Sequence, residues 1–253
     1  MSRFVISQDE YDKLAIKPED TYLKKNIGNI YCYFSIPDNV RKIVVYCHGF
    51  GESKDRINQH FYELNNIGVG IVSFDFPCHG EDKSLDSCFN LTNSLDYLNR
   101  VIESVKEYNV PISLMGSSYG GYIALSYINR FKVKFDKVFL KFPAVNFYEC
   151  SKRKLGIDID YFDSHDFYTF LNGKKFYKEA FLEFRNDDLM ESFDKCGNDI
   201  FIIHGDKDKT VLLEDVEYFC DKYDIELGVI HGAEHGMKDY LSVVNETLLD
   251  YIK

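Results

Sequence analysis

Apolar and polar positions along this chain follow two alternating periods. Residues 42–47, 69–74, 112–115, 137–141, 199–204 and 225–230 are short, nearly continuous apolar runs, the pattern of strands buried on both faces. Residues 30–36, Ile-Tyr-Cys-Tyr-Phe-Ser-Ile, form an earlier run rich in aromatic and β-branched residues and read as a further strand. Between these runs the period lengthens. Over 91–108, Leu91, Leu95, Leu98, Val101, Ile102 and Val105 recur by three and four, which predicts one buried face of an amphipathic helix. Further helices are expected at 57–67, 119–129, 212–223 and 237–252. Strand and helix patterns alternating at this spacing imply an α/β fold, a mostly parallel sheet covered by helices on both faces.

The stretch 144–190 breaks that rhythm. Eleven Phe and Tyr residues crowd between Phe147 and Phe184 with no clean strand among them. The gap between the strands ending at 141 and beginning at 199 is far longer than an ordinary connection. We therefore expect 1–143 and 191–253 to form one core, with 144–190 as an inserted, mainly helical segment. No internal repeat, Pro-rich linker or low-complexity tract divides the chain further.

Composition narrows the function classes. No apolar run reaches the 18 or so residues of a membrane span, and none opens the chain as a secretory leader would. The 30 Lys and Arg against 41 Asp and Glu give a net charge of −11, a field that repels polyanions and counts against nucleic acid as a partner. Seven scattered cysteines form no CxxC pair, so neither a zinc site nor a disulfide scaffold is indicated and a reduced, cytoplasmic protein is expected.

The sharpest chemical signal is Gly116-Ser117-Ser118-Tyr119-Gly120, directly after one expected strand and opening an expected helix. This G-x-S-x-G pattern in a strand-turn-helix context projects the central serine above the sheet. The N–H of Tyr119 then lies at the helix start, suited to hold a developing oxyanion. Three other loops fall at strand ends. His48-Gly49-Phe50-Gly51 follows the strand at 42–47; it is either a simple strand-end turn or a loop whose Phe50 N–H supplies a second oxyanion donor. His204-Gly205-Asp206-Lys207-Asp208 offers a carboxylate, with Asp208 preferred, Asp206 its rival and a solvated acidic loop the plain alternative. Gly232-Ala233-Glu234-His235-Gly236 offers an imidazole, His235, with His231 its rival. A serine needs an imidazole to activate it, and the imidazole a carboxylate to orient it. The chain order Ser118, Asp208, His235 is the one nucleophile-elbow hydrolases use.

Taken together with Ser73-Phe74-Asp75-Phe76-Pro77-Cys78-His79-Gly80, these stretches make the sequence resemble the α/β-hydrolase superfamily, in particular its small esterases and lysophospholipase-like or monoacylglycerol-lipase-like members. The resemblance implies Ser118 as nucleophile, Asp208 as acid, His235 as base and the Phe50 and Tyr119 amides as oxyanion hole, with no cofactor and no metal. It also implies that 144–190 is a cap over the site and that His79-Gly80 shapes a neighbouring loop without acting in catalysis. Two departures stand out: Glu234 precedes the histidine where glycine is common, and Phe76-Pro77-Cys78 replaces a usual arginine. Glu234 is either a solvated charge or a neighbour that favours protonated His235.

The activity expected is hydrolysis of small to medium carboxylic esters, with a small-molecule ester as partner. The aromatic residues of 144–190 either frame an apolar substrate pocket or build that segment's own core. An aminopeptidase of the prolyl type would use the same triad and need an acidic recess, for which Glu149, Asp158, Asp160, Asp163 and Asp166 are sources. A non-hydrolytic ligand receptor on the same fold is the third reading.

Overall fold

The computed structural model describes residues 22–253. Residues 1–21, assigned above to the core and read as carrying no leader, lie outside that range. In chain order the strands are β1 (Leu23–Ile27), β2 (Ile30–Ser35), β3 (Lys42–Cys47), β4 (Val69–Phe74), β5 (Ile112–Ser117), β6 (Val138–Lys141), β7 (Phe167–Thr169), β8 (Lys175–Tyr177), β9 (Ile200–Gly205) and β10 (Glu226–Ile230). The helices are α1 (Phe61–Asn66), α2 (Leu91–Val105), α3 (Tyr119–Phe131), α4 (Phe147–Leu155), α5 (Lys178–Asn186), α6 (Leu189–Ser192), α7 (Leu213–Tyr223) and α8 (Leu241–Ile252).

Eight strands form one sheet in the order β1-β2-β4-β3-β5-β6-β9-β10, antiparallel across β1, β2 and β4 and parallel from there on. The two-residue period of a strand divides its side chains between two cores. On β3, Ile43, Val45 and Cys47 face α2 and α3, whereas Val44 and Tyr46 join α1 and α8 on the other side. After β4 the chain crosses to the far side of β3 to make β5. The sheet therefore splits its connections at β3 and β5, where a crevice opens beyond the strands' C-terminal ends.

Two expectations are corrected. The stretch 57–67 is not one helix: a 3-10 turn at Lys54–Gln59 meets α1 at His60, whose backbone is non-helical and whose ring turns inward. The segment 144–190 does contain strands, since β7 and β8 pair as a small antiparallel hairpin apart from the main sheet. That hairpin turns through 170–173, closed by Gly173 N–H on Phe170 O at 2.9 Å, with Gly173 at φ +82°, a turn followed by a left-handed glycine of the kind longer hairpin loops use. β1 was also not foreseen. Its exposed, polar sequence Leu-Lys-Lys-Asn-Ile shows no alternation, and it is held by a two-residue turn at Gly28-Asn29.

The aromatic residues of 144–190 serve both roles raised above. Phe162, Phe176, Phe181 and Phe184 are buried among one another. Phe147 and Phe184 pack on Tyr119 at 4.9 and 6.1 Å, joining the segment to the sheet's own core. Phe147, Phe170 and Phe176 also line a cavity that reaches Ser118.

Candidate active site

Ser118 sits between β5 and α3 at φ +51°, ψ −113°, a region in which a non-glycine residue stores on the order of 1–3 kcal/mol of strain. The surroundings hold it there. Its N–H donates to Lys141 O at 3.0 Å, and its carbonyl accepts from Tyr122 and Ala144 N–H. Neighbouring glycines leave room for the turn: a Cβ on Gly120 would stand 2.1 Å from Cys47 O, and one on Gly116 2.6 Å from Gly120 O.

The Ser118 hydroxyl lies 3.1 Å from His235 Nε2, and His235 Nδ1 lies 2.7 Å from Asp208 Oδ2. An ionised carboxylate only accepts, so Nδ1–H donates to Asp208 and Nε2 is left to accept from Ser118. Asp208 is buried, and its Oδ1 accepts the N–H groups of Thr210 and Val211 at 2.8 and 3.0 Å. Burial pushes its carboxyl up, but the His235 bond and these amides outweigh that and hold it below the ordinary aspartate value. The two loops are stitched together, with Lys207 N–H on Ala233 O at 2.9 Å and Gly205 too close to Ala233 O to carry a Cβ. Phe142, at φ +38° just beyond β6, sets its ring edge against His235 at 4.8 Å.

The rival residues pair elsewhere. Asp206 meets His231 at 3.1 Å, on the surface, with the His231 side chain 89% exposed. Glu234 is exposed. His204 lies fully buried behind the acid, 3.6 Å from Asp208 Oδ2, with its Nε2–H donated to Val211 O at 3.1 Å. His79 stacks near Tyr119 and Phe50, flanking the site without touching the Ser118 hydroxyl bond.

His48 organises the turn that follows β3. Its Nδ1–H donates to Gly49 O at 2.8 Å and its Nε2 accepts Phe76 N–H at 3.1 Å. Accepting the Phe76 N–H requires an unprotonated Nε2 and so the neutral ring, and burial lowers its pKa to about 4. Glu52 Oε2 accepts Gly49 N–H at 3.0 Å. Gly49 and Phe50 thereby line the same cavity as Ser118 and His235. The Tyr119 N–H belongs to the first turn of α3, where no intrahelical acceptor exists.

The cavity measures about 140 Å³. Its walls are mostly apolar: Phe50, Phe142, Phe147, Leu155, Phe170 and Val211. Sequence reasoning missed Phe142 and Glu52. Phe142 follows β6 at the C-terminal edge of the sheet, and that position is the signal that identifies it. Among the described residues, no cluster of three or more His, Cys, Asp or Glu could hold a metal ion, and no helix is long and apolar enough to cross a membrane.

The family described as Serine aminopeptidase, S33, matches residues 38–154. That span takes in the His48–Phe50 turn and Ser118 and stops short of Asp208 and His235. No curated protein matches the chain by sequence. Among solved structures, Est1E from Butyrivibrio proteoclasticus is similar with a TM-score of 0.76 at 20% identity, covering 88% of this chain and 93% of that one. Est1E with ferulic acid bound matches at 22% identity over 91% and 99% of the two chains, with the same TM-score of 0.76. Monoacylglycerol lipase from Paleococcus ferrophilus matches with a TM-score of 0.68 at 16% identity over 88% and 98%. An alpha-beta serine hydrolase homologue from Coxiella burnetii matches with a TM-score of 0.63 at 17% identity over 92% and 96%.

Proposed function

The chain has the α/β-hydrolase fold, and we propose that it is a serine hydrolase of small to medium carboxylic esters. The observation that carries this reading is the hydrogen-bonded run Ser118–His235–Asp208 at the mouth of an apolar cavity. Ser118 Oγ attacks the ester carbonyl as His235 Nε2 takes its proton. The Asp208 carboxylate steadies the imidazolium, and the Phe50 and Tyr119 amides receive the oxyanion. Collapse expels the alcohol, protonated by His235, and leaves an acyl-serine. Water activated by the same histidine then releases the acid.

A volume near 140 Å³ is about that of an engineered apolar cavity that takes up benzene. One aromatic ring or a short alkyl chain therefore suits the acyl group, and segment 144–190 acts as a cap above it. Est1E binds ferulic acid, which supports a hydroxycinnamoyl ester as one member of this class. All seven cysteines stand free, which supports a reducing compartment.

The aminopeptidase reading has the S33 description in its favour, but among the described residues the cavity offers no spare acid for a substrate ammonium. None of Glu149, Asp158, Asp160, Asp163 and Asp166 lines it. Glu52 does, but it is already held by Gly49 N–H and by Arg56 at 3.0 Å. Turnover of p-nitrophenyl esters of rising chain length, set beside aminoacyl amides, tests the choice. We expect short and aryl esters to be cleaved and the amides untouched. Amide cleavage at comparable rates would overturn the ester reading, and saturable binding without product would favour a receptor.

A further inference from the structure

The cavity carries polar side chains that the ester chemistry above leaves unused. Glu52 is accounted for, because both its oxygens are bonded within the protein. Three others are donors: Ser151, Lys154 and Thr210. Ser151 is only 8% exposed, yet among the described residues its hydroxyl has no hydrogen-bond partner. Two other helical serines donate back one turn, Ser94 to Asn90 O at 2.8 Å and Ser192 to Asp188 O at 2.7 Å, and Ser126 donates to Asp187 Oδ2 at 2.5 Å. Thr210 spends its N–H on Asp208, and its hydroxyl is likewise unpartnered among the described residues.

Lys154 follows Ser151 by three on α4, which places both on one face of the helix. Its neighbours are neutralised: Lys152 pairs with Glu149 and Asp158, and Arg153 with Asp215. Among the described residues Lys154 has no carboxylate partner. It stands exposed at the cavity mouth, its ammonium 5.8 Å from the centre of the Phe50 ring. A lysine at a helix C-terminus gains from the helix dipole wherever its side chain points, so that role does not explain why it borders the cavity. The Lys154 ammonium and the Ser151 and Thr210 hydroxyls thus line one cavity, and each can donate to an acceptor oxygen bearing negative charge.

We propose that Ser151, Lys154 and Thr210 form a specificity subsite for a carboxylate on the substrate, away from the ester bond to be cleaved. The proposal rests on the ester-hydrolase reading and narrows it to monoanionic esters. All three groups can donate, none is a carboxylate, and much of the remaining wall is apolar apart from Glu52 and the Ser118–His235 pair, so a carboxylate-tipped substrate with an apolar middle fits its chemistry.

The test uses two matched pairs. In one, p-nitrophenyl butyrate is set against p-nitrophenyl hemiglutarate, which puts the carboxylate on the acyl side. In the other, the butyrate esters of 4-nitrophenol and of 3-carboxy-4-nitrophenol put it on the alcohol side. The ratio of kcat/KM, anionic over neutral, is measured for wild type, Lys154→Met, Lys154→Arg and Ser151→Ala. We expect the anionic member of one pair to be preferred and Lys154→Met to lower that ratio about two- to fivefold, the effect of losing an ion pair with an exposed ammonium. Ser151→Ala should lower it less, Lys154→Arg should largely restore it, and the neutral ester should be untouched. An unchanged ratio in both pairs, or an equal loss on neutral and anionic esters, would overturn the subsite. Absence of turnover of the neutral esters by wild type would instead overturn the ester reading itself. Inorganic phosphate inhibiting more strongly than acetate, in wild type but not in Lys154→Met, would reassign the subsite from carboxylate to phosphate.

Discussion

Replacing Lys141 by methionine removes an amine from a place where water cannot reach it. Lys141 closes β6 and is 4% exposed. Its Nζ lies 2.8 Å from His60 Nε2, and the rings of Tyr46 and Phe142 flank it at 5.5 and 5.9 Å. His60 in turn gives its Nδ1–H to Asn245 Oδ1 at 2.6 Å. No carboxylate pairs with the amine among the described residues; the charges that act on it are Glu52, which favours its cation, and Arg56, which opposes it. Burial wins and lowers its pKa to about 8. In the unfolded chain the value returns to roughly 10.4. Between those two values the unfolded chain holds a proton that the folded one lacks, so Lys141 makes stability rise with pH across that window. Below pH 8 both states are protonated, and the full penalty of about 3 kcal/mol is present.

Methionine carries no such penalty. It leaves His60 Nε2 without a donor, at a cost of about 1–3 kcal/mol. His60 is held neutral by burial, so that cost does not vary over the window. The informative quantity is therefore the stability difference between Lys141→Met and wild type, measured by urea unfolding from pH 7 to pH 9.5. Tyrosines and cysteines raised by burial act on both proteins alike and cancel. We expect the difference to move in favour of wild type by about 2 kcal/mol as pH rises from 7 to 9.5. A difference flat in pH would refute the buried, neutralisable amine.

Four other perturbations follow from the geometry. Gly120→Ala drives a Cβ to 2.1 Å from Cys47 O and 2.5 Å from His48 O; thermal unfolding should show a loss of about 3 kcal/mol or more. Gly156→Ala, at φ +65° with open space around it, should lose only about 1–2 kcal/mol in the same assay. Asp208→Asn keeps an acceptor for the Thr210 and Val211 amides but presents an N–H to His235. The imidazole should then adopt the other tautomer, and kcat should fall by about 10⁴ while the folded far-UV spectrum persists. Cys150 lines the cavity, but burial pushes its thiol up to about 12. Iodoacetamide at pH 7.5 should therefore leave esterase activity intact, whereas a thiolate there would be alkylated.

The inner parallel strands β3, β4, β5, β6 and β9 were legible because each is buried on both faces and therefore reads as an apolar run, whereas the edge strand β10 is half exposed and was legible from its apolar sequence alone. β3, β4, β9 and β10 fall within a residue of the expected bounds. The elements that escaped notice have their backbone placed by pairing and turns, not by burial periodicity. β1 is mostly exposed, and β7 and β8 have three residues each; their signals were the dipeptides Gly28-Asn29 and Asn172-Gly173. At the site, chain order and loop position singled out Ser118, Asp208 and His235, and the hydrogen bonds join those three. The choice of Asp208 over Asp206 rested on position alone; the structure adds two amides on Asp208 and a surface histidine on Asp206. Lys141, Phe142 and Glu52 were not legible as neighbours of the site. Their roles depend on which residues the top of the sheet brings together, and no local spacing encodes that.

The claim at the centre of this account is that Ser118 is a nucleophile primed by His235. Intact-mass measurement of the protein treated with a fluorophosphonate, followed by peptide mapping, tests it most directly. We expect one adduct, on Ser118, absent from Ser118→Ala and formed far more slowly in His235→Ala. An unlabelled wild-type protein, or an adduct that persists at another residue in Ser118→Ala, would contradict it.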